Sequence, residues 1–300
     1  MDLYRQGGMA AIQKEIDHGF GDRTFWKEKL AQKDLQFGYY ESTNTLLICE
    51  KNQPSLSLYR KDNKERFTRI KTIPAFTGKF EGDKMNAGDR RTPIGVYTLT
   101  EKRENVDQFY GPMAFVTSYP NLYDRIRGKN GDGIWIHGVP ISGDRDSFTK
   151  GCIAIDNGEL TNLDQNINYK NLFLIIDTKT KTYGNVAYDA IISQLYQWRY
   201  AWKYNDLQAY LSFYDTTFVR FDGMEYFDFK NYKQRIFERK ETKEIFFTNL
   251  NIIPYPGDRP NLFMVTFDEV YTSDKHNFTG PKILMLLLNS DNSISIISEQ

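Results

Sequence analysis

Two residue types capable of covalent chemistry meet in one short stretch of this chain. His137, followed by Gly138, and Cys152, preceded by Gly151, lie fifteen positions apart in a sequence with only three histidines and two cysteines. A thiol attacks as its thiolate, and a neighbouring imidazole can take the proton, so such a pair is the minimum for cysteine nucleophilic catalysis. His137 would act as base and later as general acid to the leaving amine. Gly133-Ile134-Trp135-Ile136-His137 reads as a short apolar strand delivering His137 at its end. Gly151 lets the backbone approach closely, making the N–H groups of Gly151 and Cys152 candidate oxyanion donors. The imidazole needs a third group to orient it. No carboxylate is adjacent to His137 in the sequence, which points to the main-chain carbonyl of Gly138.

Plainer readings compete. A cysteine in an apolar run such as Cys152-Ile153-Ala154-Ile155 is commonly an inert core residue, and a histidine beside Trp135 commonly packs. A Cys49–Cys152 disulfide is the direct rival in an exported protein. His276 follows Cys152, the order of papain-like hydrolases, but sits in the polar stretch Asp274-Lys275-His276-Asn277, beyond the expected domain boundary. Three scattered histidines without paired spacing offer no metal site, and no cofactor is called for.

Further motifs precede the pair: Thr45-Leu46-Leu47-Ile48-Cys49-Glu50-Lys51 with Ser55-Leu56-Ser57-Leu58-Tyr59, then Thr77-Gly78-Lys79, then Gly88-Asp89-Arg90-Arg91-Thr92-Pro93-Ile94-Gly95. With His137-Gly138 and Thr149-Lys150-Gly151-Cys152, this ordered set resembles the L,D-transpeptidase (YkuD-type) catalytic family. The resemblance implies a peptidoglycan stem peptide as substrate, attacked between the L-centre of the diamino acid and the following D-Ala. It implies a periplasmic location. Cations are needed for the substrate carboxylates; Arg91, Lys150, Arg125 and Arg127 are the candidates, with Thr149 and Trp135 also on the substrate side.

Two departures refine that expectation. Many transpeptidases carry His or Arg before the Gly-Cys pair and Arg two residues after the Cys; here those positions are Lys150 and Ala154. Losing that Arg removes a guanidinium suited to gripping a carboxylate. The stretch from Thr149 to Ile155, together with the C-terminal region below, resembles the periplasmic cell-shape-determining L,D-carboxypeptidases of helical Gram-negative bacteria. That implies trimming of stem tetrapeptides to tripeptides. Crosslinking by transpeptidation and a non-catalytic wall-binding role are the alternatives.

The elements that must position these residues follow from periodicity. Residues 1–40 read as a helical N-terminal segment, with Met9, Ile12 and Ile16 on one face and Phe25, Trp26 and Leu30 in a second short helix. Such an arm could pack on the catalytic domain or mediate a homodimer. Residues 41–182 read as the β-rich catalytic domain, with residues 103–133 expected as a long connection that could lid the site. Residues 183–300 begin with helices. Ile191, Leu195, Trp198 and Trp202 mark one face; Leu207, Tyr210, Leu211 and Tyr214 mark a second, with Asn205 or Asp206 as N-cap, and a third helix is expected over 230–239. Strands near 243–253, 261–272, 281–288 and 292–298 follow. This resembles the NTF2-like fold, helices on a curved antiparallel sheet, often with a pocket that holds a small ligand. The fold class expected for the whole chain is α+β.

Composition narrows the partners. Thirty-nine basic and 39 acidic side chains cancel, which removes the electrostatic case for general nucleic-acid binding. Hydrophobic content of 40% with 15% aromatic residues excludes a disordered chain. No apolar run reaches membrane-span length. Met1-Asp2-Leu3-Tyr4 lacks the basic and apolar start of a signal peptide, consistent with a cytoplasmic chain or with a mature exported chain carrying a start Met; the family resemblance favours the second.

Overall fold

In the computed structural model, which describes residues 2–143, 146–184 and 186–300, the chain forms two units. The elements begin with α1 (Asp2–Gly19), α2 (Arg23–Leu30), β1 (Tyr39–Tyr40), β2 (Thr45–Glu50), β3 (Ser55–Lys61), β4 (Phe67–Phe76), β5 (Gly95–Tyr97) and β6 (Leu99–Arg103). A 3-10 turn (Gln108–Tyr110), β7 (Ala114–Thr117), α3 (Leu122–Ile126), β8 (Trp135–His137), β9 (Ile153–Ile155), α4 (Asn157–Asn166) and β10 (Phe173–Asp177) follow. The chain ends with α5 (Tyr188–Lys203), α6 (Leu207–Leu211), α7 (Tyr226–Phe237), β11 (Lys243–Pro254), β12 (Leu262–Ser273), β13 (Asn277–Leu288) and β14 (Ile294–Glu299). The class is α+β.

The catalytic-motif unit comprises Tyr40–Tyr183 and, from far along the chain, Ile253–Pro260. Its nine-stranded sheet has the order β5-β10-β2-β3-β4-β9-β8-β7-β6. The β10–β2 and β8–β9 pairs are parallel. Leu47, Cys49, Leu56, Leu58, Ile136, Ile153 and Ile155 form its core with Leu160 and Leu163 of α4, so strand alternation and one helix face meet in a single apolar cluster. Cys49 and Cys152 are both free thiols, so the disulfide is not formed.

The expected connection over 103–133 is not one continuous loop. Ala114, Phe115 and Thr117 are buried, β7 is an interior strand between β6 and β8, and Leu122–Ile126 is a helix closed by a capping box at Asn121. A short strand between Pro- and Gly-rich turns carries little periodic signal of its own, and its pairing partners supply the order.

The other unit comprises the chain up to Tyr39, Gly184–Ile252 and Asn261–Gln300. The N-terminal helices belong to this unit, and the 253–260 segment leaves it. Strands β11, β12, β13 and β14 lie in that order, with β12 and β13 paired from Leu262↔Leu287 to Thr272↔Asn277. Ile191, Leu195, Trp198 and Trp202 of α5 are all buried in its core, with Tyr210, Leu211, Tyr214, Ile252, Phe263, Leu284 and Ile296. Asp206 caps α6, accepting from the amide of Ala209 at 3.0 Å. The third helix begins at Tyr226, four positions before its expected start at 230.

Helix α1 docks by charge rather than by its apolar residues. Met9 is 69% and Ile16 55% exposed, whereas Asp17 is buried against Arg199 (2.7 Å) and Lys203 (2.8 Å) of α5. Gly8, at φ 64 and ψ −157, breaks the helix. Periodicity over-read this segment because an ion pair between distant elements leaves no apolar repeat in either. Trp26 and Leu30 of α2 do enter the core.

Candidate active site

Parallel pairing of β8 with β9 brings the two reactive residues to adjacent strands: Ile136 faces Ile153 and His137 faces Ala154 in register, which sets Cys152 at the entrance of β9. The Cys152 sulfur lies 3.3 Å from the carbonyl oxygen of Gly133 and 3.4 Å from the amide nitrogen of Trp135. As a thiol it donates to Gly133; as a thiolate it would accept from the Trp135 N–H. Cys152 is partly accessible. Cys49, in contrast, is buried on β2, and burial pushes its thiol up to about 12, which leaves it inert near neutrality.

His137 is buried, and its Nδ1 lies 2.6 Å from the carbonyl oxygen of Gly138. A carbonyl can only accept, so Nδ1 carries the proton, and in the neutral ring Nε2 holds the lone pair that a base needs. Gly138 is required here. A Cβ at that position would fall 2.1 Å from Asn157 Oδ1, which itself accepts from the Val139 amide at 2.9 Å. The Gly138 amide donates to the Tyr110 carbonyl at 2.8 Å, and the Tyr110 ring meets the imidazole edge-on at 5.0 Å. Asn157 and Tyr110 thus fix the His-Gly turn from two sides.

The cysteine loop is held by Thr149. Its hydroxyl accepts from the Gly151 amide at 3.0 Å and donates to the Cys152 carbonyl at 2.7 Å. Thr149 itself pairs with the end of β4, its amide donating to Thr77 O at 2.8 Å and its carbonyl accepting from the Lys79 amide at 3.3 Å. Thr149, expected on the substrate side, is buried as a brace of this loop, and the Gly151 N–H, expected as an oxyanion donor, is bound to that hydroxyl. Gly151 has φ 136, and a Cβ there would meet the Arg91 carbonyl at 2.8 Å.

The expected cations are dispersed. Lys150 is exposed beside the cysteine. Arg91 touches the loop through its backbone, while its Nε donates to Glu81 O at 2.8 Å. Arg125 donates to Pro120 O at 2.7 Å, and Arg127 pairs with Asp83 at 3.1 Å. Trp135 is half-buried. Its ring carries a cation absent from the expected set, the Arg103 guanidinium, 5.0 Å from the ring centroid. Arg103 sits on β6, far from the motif in sequence, and only the β6-β7-β8 order reveals it.

The C-terminal unit holds a cavity of about 530 Å³ whose lining includes Trp202, Lys233, Glu269, His276 and Lys282. The Lys233 ammonium stands 5.0 Å from the Trp202 and Phe229 ring centroids, and burial pushes it down to about 8. Burial likewise raises Glu269. His276 therefore belongs to this cavity's lining. Among the described residues no cluster of potential metal ligands occurs, and no helix is long and apolar enough to cross a membrane.

Comparison with known proteins agrees with this architecture. Residues 44–181 match the L,D-transpeptidase catalytic domain (YkuD), and residues 190–300 match the Cds6 C-terminal NTF2-like domain. No curated protein matches the chain. Among solved structures, the helical cell shape determining protein Pgp2 from Campylobacter jejuni is 35% identical with a TM-score of 0.85, over 94% of this chain and 100% of that one. A variant of Pgp2 gives the same identity and TM-score over 95% and 99%. Bd1075 from Bdellovibrio bacteriovorus is 27% identical with a TM-score of 0.68, over 90% and 96%. A YkuD domain followed by an NTF2-like domain, shared along nearly the full length of Pgp2, makes this chain a member of the family of Pgp2-type helical cell shape determining proteins.

Proposed function

We propose that the protein is a periplasmic peptidoglycan L,D-carboxypeptidase that removes the terminal D-Ala from stem tetrapeptides. The observation that carries the reading is the Cys152/His137 site, in which a partly accessible sulfur abuts the Trp135 amide and Nδ1 of the imidazole is bound to Gly138 O. Cys152 attacks the carbonyl carbon of the diamino acid residue. The His137 imidazole accepts the thiol proton and returns it to the departing D-Ala nitrogen, leaving a thioester. Water then adds to the thioester with His137 as base, freeing tripeptide and regenerating the thiol.

Hydrolysis rather than transfer is favoured by Ala154. It is fully buried on β9, so the strand offers no guanidinium to hold a second stem carboxylate. Exposed Lys150, and Arg103 over the Trp135 ring with Glu101 paired to it at 2.9 Å, are the candidate cations for the substrate carboxylate, and an Arg103→Ala variant with unchanged KM would remove Arg103 from substrate binding. The C-terminal cavity, with Lys233, Lys275, Lys282, Glu241 and Glu269 in its wall, suits a polar ligand bearing carboxylate and ammonium groups. Incubation with purified tetrapeptide muropeptides, with and without acceptor stems, tests the reaction. Free D-Ala and tripeptide are expected; dominant crosslinked dimers would restore the transpeptidase reading.

A further inference from the structure

A chain of hydrogen bonds reaches the cysteine loop from residues that never approach the sulfur. Lys51, directly after β2, is half-buried, and its Nζ donates to Thr92 O at 2.5 Å and to Gly82 O. Thr92 is fully buried, and its hydroxyl accepts from the Gly78 amide at 2.8 Å. Gly78 bridges to Thr149, whose hydroxyl holds both Gly151 and Cys152. The same 90–92 segment is also a wall. A Cβ on Gly78 would fall 2.5 Å from Arg90 O, and one on Gly151 would fall 2.8 Å from Arg91 O. Two glycines therefore pack against one stretch of backbone, and Lys51 ties that stretch down at Thr92.

We infer that Lys51 and Thr92 are positioning residues for the nucleophile, acting on Cys152 through Gly78, Thr149 and Gly151 without touching substrate. The inference rests on Cys152 being the nucleophile of the proposed reaction. The ammonium is suited to this task because one nitrogen can donate to two carbonyls that diverge, which a neutral hydrocarbon of the same length cannot do. Burial pushes Lys51 down to about 8, with Asp83 opposing the shift and Lys129 and Arg91 adding to it. A neutral amine still offers two N–H donors, so both carbonyl contacts survive that deprotonation. Misplacing a reacting group by about 1 Å can cost about 100-fold in rate, so a loosened loop is expected to act on turnover rather than binding.

The test uses the full chain with Lys51→Met, Thr92→Val, Thr92→Ser and the Lys51→Met/Thr92→Val double variant. Two rates are read: alkylation of Cys152 by iodoacetamide at neutral pH, and kcat and KM on the tetrapeptide. Alkylation reports Cys152 alone because Cys49 is buried with its thiol near 12. Lys51→Met and Thr92→Val should each slow alkylation and kcat by about 10- to 100-fold with KM changed little. Thr92→Ser keeps the acceptor for Gly78 and should restore most of both rates. The double variant should fall little below the worse single, since both break one chain of contacts. Wild-type alkylation in folded Lys51→Met and Thr92→Val would overturn the inference. So would a Thr92→Ser variant as slow as Thr92→Val, which would assign the effect to the packing of the methyl group. If Thr92→Val does not fold, Lys51→Met decides by the same two rates. Alkylation requires no peptidoglycan, so a wild type inactive on the tetrapeptide would reject the carboxypeptidase reading and leave this test intact.

Discussion

The Nδ1 atom of His137 and the carbonyl oxygen of Gly138, neighbours in the chain, are 2.6 Å apart. The contact selects the tautomer with a basic Nε2, and it does so with main chain where other cysteine and serine enzymes use a carboxylate or amide side chain. Replacing His137 with Ala should therefore slow both tetrapeptide hydrolysis and iodoacetamide alkylation of Cys152 near pH 7, by about 100-fold or more for turnover. His276→Ala should change neither rate. Alkylation unchanged in His137→Ala would show that the thiolate owes nothing to the imidazole.

The two thiols should behave oppositely. Cys152→Ala is expected to abolish hydrolysis with an unfolding midpoint close to wild type, because the residue is only partly buried. Cys49→Ala should retain activity, at a stability cost of about 1 kcal/mol for a sulfur removed from a packed strand. Activity persisting in Cys152→Ala would end the nucleophile assignment.

Removing the C-terminal unit should harm the catalytic-motif unit through one segment. Tyr255, fully buried in Ile253–Pro260, accepts from Asn121 Nδ2 at 2.9 Å and packs edge-on against Tyr123 at 5.0 Å. A chain ending at Tyr183 loses that segment. We expect it to unfold at lower denaturant than the full chain, and Tyr255→Ala in the full chain to cost about 3–5 kcal/mol. Denaturation of both variants followed by circular dichroism checks this; a truncated chain as stable as the full one would reject it.

Alkaline stability should carry the signature of Lys233. Its folded value of about 8 lies below the 10.5 of an ordinary lysine. The unfolded chain therefore binds more protons between those values, and stability rises with pH across that window, being lost again as pH falls through 8. The contribution between pH 8 and 10 is about 2 kcal/mol. Above pH 10 the buried Tyr97, Tyr210, Tyr214 and Tyr255, all pushed upward by burial, act in the opposite sense. Urea unfolding at pH 8 and pH 10 should show a smaller rise for Lys233→Met than for wild type; equal rises would refute the assignment.

The sequence by itself determined the local chemistry and the local apolar faces. His137-Gly138 and Gly151-Cys152 mark the thiol and the imidazole of the candidate site, and the spacing of Ile191, Leu195, Trp198 and Trp202 names the face of α5 that is buried. Both are legible because a motif and a helical repeat are written in residues close together along the chain. Tertiary structure decided what depends on partners from elsewhere. Asp17 is buried while Met9 and Ile16 are exposed because Arg199 and Lys203 arrive from α5. Residues 114–117 form an interior strand because β6 and β8 flank them. Arg103 reaches Trp135 only through that strand order. The Gly151 amide is spent on Thr149, and the 253–260 segment counts with the catalytic-motif unit, for the same physical reason: hydrogen bonds and ion pairs between distant segments follow the register of strands and the docking of helices, and neither leaves a period in the sequence.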